Sequence, residues 1–114
     1  MKKIRAIKID ATACTVTEIE IESGLQPLYK ELDCHLVEKV TLDGNHDLIL
    51  DEEGWIRVDR KNEGFRFLLM DGAFIGHGLI VGYNDEGEWI SHCANVETVA
   101  ELVEFVTFKE RINA

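Results

Sequence analysis

Four histidines and three cysteines are the residues of this 114-residue chain best equipped for metal or thiol chemistry, and four of these seven form two adjacent pairs, Cys34-His35 and His92-Cys93. A tetrahedral site of nitrogen and sulfur ligands needs four side chains converging on one point. Neighbours on an extended chain point to opposite faces. Each pair therefore offers at most one ligand to a given site, and His46 or His77 would have to join them; the spacing predicts no metal centre and no cofactor. Cys34 falls at the expected end of a helix, where carbonyl dipoles oppose a thiolate. No Gly-x-Ser-x-Gly elbow is present. Gly76-His77-Gly78 and Gly82 resemble a phosphate cradle only in composition. A cradle runs from a strand into a helix N-terminus, whereas these glycines sit inside a strand pattern and predict close packing over it. The expectation is a non-enzymatic protein.

Charge points instead to protein binding. There are 22 acidic against 12 basic side chains, for a net charge of −10. That field repels phosphate backbones, so nucleic acid is not an expected partner, whereas a protein with a basic surface is. Two tryptophans follow acidic turns: Glu52 and Glu53 precede Trp55, and Asp85 and Glu86 precede Trp89. Tryptophan is a frequent interface anchor, although closing the ends of a core would use the same residues. Glu97, Glu101 and Glu104 line the outer side of a helical pattern. These nine residues are the candidate protein-binding set, and Glu18, Glu20 and Glu22 form a further acidic row.

The elements that must position them are legible in periodicity. The stretch at 75–92 is the organising one: Leu79, Val81 and Tyr83 alternate as a central strand, Asn84-Asp85-Glu86-Gly87 makes a hairpin turn, and Trp89-Ile90 starts the return. Residues 3–9 and 15–22 predict an earlier hairpin, with Thr17, Ile19 and Ile21 facing one way and the glutamates the other. Between them, the 10–13 loop shows no special feature. Ser23 and Gln26 have capping-box spacing before a helix with Pro27 in its first turn and Leu25, Leu28, Tyr29 and Leu32 inward. Leu36, Val40 and Leu42 mark a strand, and Asp43-Gly44-Asn45 a turn. Leu48-Ile49-Leu50, Asp51-Glu52-Glu53-Gly54 and Trp55-Ile56 repeat the organising hairpin in outline. Residues 59–64 read as a charged loop; Phe65, Phe67 and Leu69 alternate as a strand, followed by an Asp71-Gly72 turn. Asn95 caps a second helix with Val99, Leu102, Val103 and Val106 inward, and a polar tail starts near 109.

The order of these segments resembles a family of small acidic proteins of phages and mobile elements, catalogued only as a domain of unknown function. Ile7-Lys8-Ile9-Asp10, residues 28–34, 37–42 and 48–54, and Gly76-His77-Gly78-Leu79-Ile80-Val81-Gly82 leading to Asp85-Glu86-Gly87 carry the likeness. It spans roughly 4–105; a segment often rich in Pro or Gly is replaced here by the charged 59–64 stretch. The resemblance implies a phage or prophage accessory protein acting in the host cytosol, and brings no catalytic residues with it.

Together these readings predict one α+β domain, 1–114, with a mainly antiparallel sheet of about five to seven strands and two helices packed on it. No apolar run approaches the ~20 residues of a membrane helix. The start enters a strand pattern without the apolar region of a signal peptide. An odd cysteine count fits a reducing, cytoplasmic setting. Open sheet edges favour a homodimer. The function expected is binding and modulation of a host protein, a nuclease or defence system; the alternative is a small-nucleotide-binding, sequestering protein with a pocket at a subunit interface.

Overall fold

The computed structural model describes residues 2–53 and 63–107. The described strands are β1 (Lys3–Asp10), β2 (Thr15–Glu22), β3 (Val37–Thr41), β4 (His46–Asp51), β5 (Glu63–Phe67), β6 (Phe74–Ile75), β7 (Gly78–Tyr83), β8 (Trp89–Ile90) and β9 (Val103–Thr107); the helices are α1 (Leu25–Leu32) and α2 (Val96–Leu102). The fold is α+β with antiparallel sheets. Six strands form the larger sheet, in the order β2-β1-β7-β4-β3 with β8 added beside β7, and a second sheet has the order β6-β5-β9.

Alternation sorts the larger sheet into two cores. Ile4, Ala6, Ile49, Leu79 and Val81 pack with Leu28 and Leu32 of α1, while Ile7, Ile9, Leu48, Leu50 and Ile80 pack with Phe65 and Phe67 of β5 and Val99 of α2. The larger sheet is thus the middle of three layers. Its inner strands must be apolar on both faces, and all six residues of β4 are buried. Each fully buried Leu, Ile or Val contributes about 1.5–3 kcal/mol by leaving water.

β7 lies in the middle, as its pattern predicts, and its glycines explain how the layers approach it. A Cβ on Gly78 would stand 2.8 Å from the Phe65 ring, and one on Gly82 would stand 2.6 Å from the carbonyl oxygen of Ser91. The first space admits the second sheet; the second admits the chain returning from β8. The 84–87 turn is built as expected: Gly87 has φ +79°, and Asn84 Oδ1 accepts the N–H groups of Glu86 and Glu88.

Several local expectations are corrected. The second helix stops at Leu102, and the chain from Val103 continues as β9, paired with β5. Val103, Phe105 and Val106 suit a half-buried strand, and a helical reading of 96–106 overlooks that Val103 and Phe105 alternate with the exposed Glu104. Glu104 therefore stands on a strand, opposite Arg66. The N-cap of α1 is Gly24, which makes no side-chain bond in that role, so the capping box does not form; Leu25 is exposed. Glu63 and Gly64 open β5 and are not part of a loop; residues 59–62 of the expected charged loop lie outside the described ones. Leu69 lies beyond β5 and is exposed, not part of the strand. The 10–13 loop has a definite structure: Asp10 Oδ1 accepts the N–H groups of Thr12 and Ala13, and Ala11 N–H donates to His77 Nδ1. The strand β6 and the separation of β5, β6 and β9 into a second sheet were not anticipated. The tail from 109 lies outside the described residues.

The close approach at Gly82 gives a prediction. Gly82→Ala should destabilise the protein by about 1–3 kcal/mol in urea unfolding, because backbone and not a flexible side chain must yield. Gly44→Ala, where a Cβ meets nothing within 4 Å, should stay within about 0.5 kcal/mol of the parent.

Candidate functional site

The acidic candidates do not form one patch. β4 and β7 are antiparallel, with His46 opposite Gly82 and Leu50 opposite Gly78. The turn carrying Asp85 and Glu86 therefore leaves the sheet at the His46 end, and Glu52 and Glu53 leave it at the Leu50 end, about 17 Å away by strand rise. The two hairpin-like segments lie side by side but point their acidic turns in opposite directions. Asp85 and Glu86 are exposed. Glu52 donates its N–H to the Leu36 carbonyl, and Glu53 donates its own to Asp51 Oδ1, so that turn is tied to the sheet. Trp55 lies outside the described residues. Trp89 is half-buried and packs on the α1-side core, which favours a structural role for the indole.

Two other elements that carry acidic rows, β2 and α2, lie against each other. Val16 joins the core on the α2 side and Ile19 and Ile21 the core on the α1 side, so Glu18, Glu20 and Glu22 stand on the α2 side of β2. α2 lies against β2, with Glu97 and Glu101 exposed. On a strand, alternate carboxylates recur about 6.8 Å apart. Among the described residues neutralisation is slight: Lys3 reaches Glu20 at 3.8 Å, but both side chains are more than half exposed, a geometry that contributes little. Glu104 is set apart on β9, 4.0 Å from Arg66.

Between the acidic ridge and the central strand runs the 91–95 segment, held by histidines. His92 is buried; its Nε2–H donates to Glu18 Oε1 at 2.7 Å and its Nδ1 accepts the Ala94 N–H at 3.1 Å. His46 is also buried, with Nδ1–H donating to the Asp43 carboxylate at 3.1 Å and Nε2 accepting the Cys93 N–H at 3.1 Å. Each acceptor role requires a bare ring nitrogen, which sets both tautomers as neutral. Adjacency in sequence misled here. Cys93 faces His46, 47 positions away, with Sγ 3.6 Å from Nε2, and not its neighbour His92. Asp43-x-x-His46 in a turn was the available sign of half this arrangement; nothing local marked the cysteine. Cys34 is buried and His35 exposed. Among the described residues, no group of three or more His, Cys, Asp or Glu is placed to hold a metal ion.

Asp10 and Asp43 both titrate below the ordinary aspartate value. For Asp10, burial is the largest influence and pushes upward, but it is outweighed by the Ala13 and Thr12 amides together with the charges of His77 and Lys8. For Asp43, the Asn45 amide is the chief cause, with His46 adding to it.

The comparisons with known proteins bear on this arrangement at the level of family. A family model described as a domain of unknown function, DUF3846, matches residues 4–104. The chain belongs to the DUF3846 family. That match covers both cores, the acidic ridge and the histidine-held segment of this DUF3846 protein. No curated protein and no solved structure matches it. Among the described residues no helix is long and apolar enough to cross a membrane.

Two measurements test the polar assignments. His92→Ala empties a buried position and strands the part-buried Ala94 N–H, and should cost about 1–3 kcal/mol in urea unfolding. A lowered aspartate pKa contributes stability that is complete above the unfolded value and disappears as pH falls through the folded one. The gap in urea midpoint between the parent and Asp10→Asn should therefore be present near neutral pH and close in acid, below the ordinary aspartate range. A gap independent of pH would contradict the charge contribution of His77 and Lys8.

Proposed function

We propose that this DUF3846 protein is a non-catalytic accessory protein of phage or prophage origin, acting in the host cytosol by binding a host protein that carries a basic surface. The observation that carries the reading is that α2, with Glu97 and Glu101 exposed, lies against β2, whose Glu18, Glu20 and Glu22 stand on the same side of the sheet. Such a ridge on a chain of net charge −10 presents a continuous negative field to a cationic groove. It steers association and suppresses partners of like charge. A nuclease or other DNA-binding defence protein is the partner class with the matching charge, because its own ligand is a polyanion. Asp85 and Glu86, at the far end of β7 from Glu52 and Glu53, would act as peripheral contacts.

The test is retention from host lysate at stepped salt with charge-reversed variants. Glu20→Lys with Glu97→Lys and Glu101→Lys should abolish a salt-sensitive interaction, whereas Asp85→Lys with Glu86→Lys should weaken it by less than about tenfold. The absence of any partner at low salt, or equal retention by the ridge variant, sinks the reading. Mass spectrometry of small molecules released on denaturation gives the competing outcome: a stoichiometric nucleotide would favour sequestration of a ligand instead.

A further inference from the structure

The segment that follows β8 assembles a thiol, an imidazole and a carboxylate in line. Cys93 is exposed, and its Sγ stands 3.6 Å from His46 Nε2. The other nitrogen of the ring lies 3.1 and 3.2 Å from the two oxygens of Asp43, and the Asn45 N–H at 2.7 Å orients that carboxylate in turn. The His46 side chain is 92 % buried, so its pose is set by packing as well as by these bonds. A nucleophile, a base in reach of it and a third group that orients the base make up the arrangement that activates a side chain for covalent chemistry. His92, the other titratable ring nearby, is turned away to Glu18.

The same histidine forms part of the wall of a cavity of about 270 Å³. Phe67, Leu69, Ile80 and Leu102 make that wall largely apolar; His46, which meets the Cys93 sulfur, and Ala94, the next residue in the chain, are also part of it. The volume lies just under the usual range for drug-sized ligands, so the occupant must be small. A carboxylate in the wall disfavours anionic ligands.

We propose that Cys93, His46 and Asp43 form a reactive-thiol site that captures small apolar electrophiles of the α,β-unsaturated carbonyl class, the cavity holding the apolar part. In the step, the Cys93 N–H gives up its bond to His46 Nε2, the thiol proton passes to the freed lone pair of that nitrogen, and the sulfur lone pair forms an S–C bond at the β-carbon. The π electrons of the alkene move to the carbonyl oxygen, and the resulting enolate recovers the proton from the imidazolium. The product is a thioether, the net addition of S–H across C=C, with no leaving group and no oxidant. Asp43 is a positioning residue: it holds the Nδ1–H tautomer and stabilises the imidazolium while it exists. Before the reaction the Cys93 N–H, bonded to Nε2 at 3.1 Å, keeps the ring in register with the sulfur of its own residue, and the enolate's recovery of the proton restores that bond.

N-Ethylmaleimide tests this on the whole protein, with the exposed Cys14 as internal reference and peptide mass spectrometry reading each site. Cys93 should react at least about tenfold faster than Cys14 at neutral pH. His46→Gln, whose amide oxygen still accepts the Cys93 N–H, should remove the advantage, and Asp43→Asn should reduce it, with Cys14 unchanged in both. Equal rates at the two thiols in the parent, or a Cys93 advantage that survives or grows in His46→Gln, would overturn the proposal. Asp43→Asn, altered on an exposed turn, decides by the same criterion if His46→Gln does not fold. A bulkier apolar maleimide should gain further at Cys93 alone; equal gains at both thiols would overturn the role of the cavity.

Discussion

Burial of β7 on both faces is the constraint from which the rest of the molecule follows. A strand covered by α1 on one side and by a second sheet on the other must be apolar at consecutive positions, and Leu79, Ile80 and Val81 are all essentially inaccessible to solvent. Covering material must also come close. Phe65 reaches the strand only because Gly78 has no side chain, and the Ser91 backbone crosses only because Gly82 has none. The glycines that resemble a nucleotide loop are therefore packing devices. The ladder of β1, β7 and β4 then determines where everything attached to those strands emerges.

The acidic surface illustrates the consequence. Antiparallel pairing sends the turns after β4 and β7 to opposite ends of the sheet, so two similar acidic turns end up apart. The crossing of the chain after β8 carries α2 back over β2, so two elements with dissimilar acidic rows end up together. Glu18 takes part in both roles, as one carboxylate of the ridge and as the acceptor for buried His92. Ridge and interior are joined through that contact, and the 91–95 segment that makes the join is held by neutral histidine rings at consecutive backbone amides. Membership of the DUF3846 family covers all of these features.

The site residues were legible to different degrees. Glu97 and Glu101 were readable as exposed from helical spacing, as were Asp85 and Glu86 from the turn chemistry of Asn84 and Gly87. Glu104 was placed on the wrong element, because a helical stripe and a half-buried strand share apolar residues over a short run. Trp89 was offered both as an anchor and as a core-closing residue, and its packing favours the second. The pairing of Cys93 with His46 left no local trace: the two positions meet only because the chain returns beside the start of β4.

What the amino-acid order determined by itself were properties of consecutive residues: the alternation of β1, β2 and β7, the Asn84–Gly87 turn, the Asn95 cap, the α+β class and the excess of negative charge. Side-chain direction in a strand or a turn depends on immediate neighbours, so a local pattern suffices. Strand order, the split into two sheets, the end of α2 at Leu102, the packing of α2 against β2 and the His46–Cys93 contact were decided only by the tertiary structure. Those outcomes depend on which distant segments pair and in what register. Such choices are settled by burying both faces of the central strand at once, a condition no single stretch of sequence can satisfy alone.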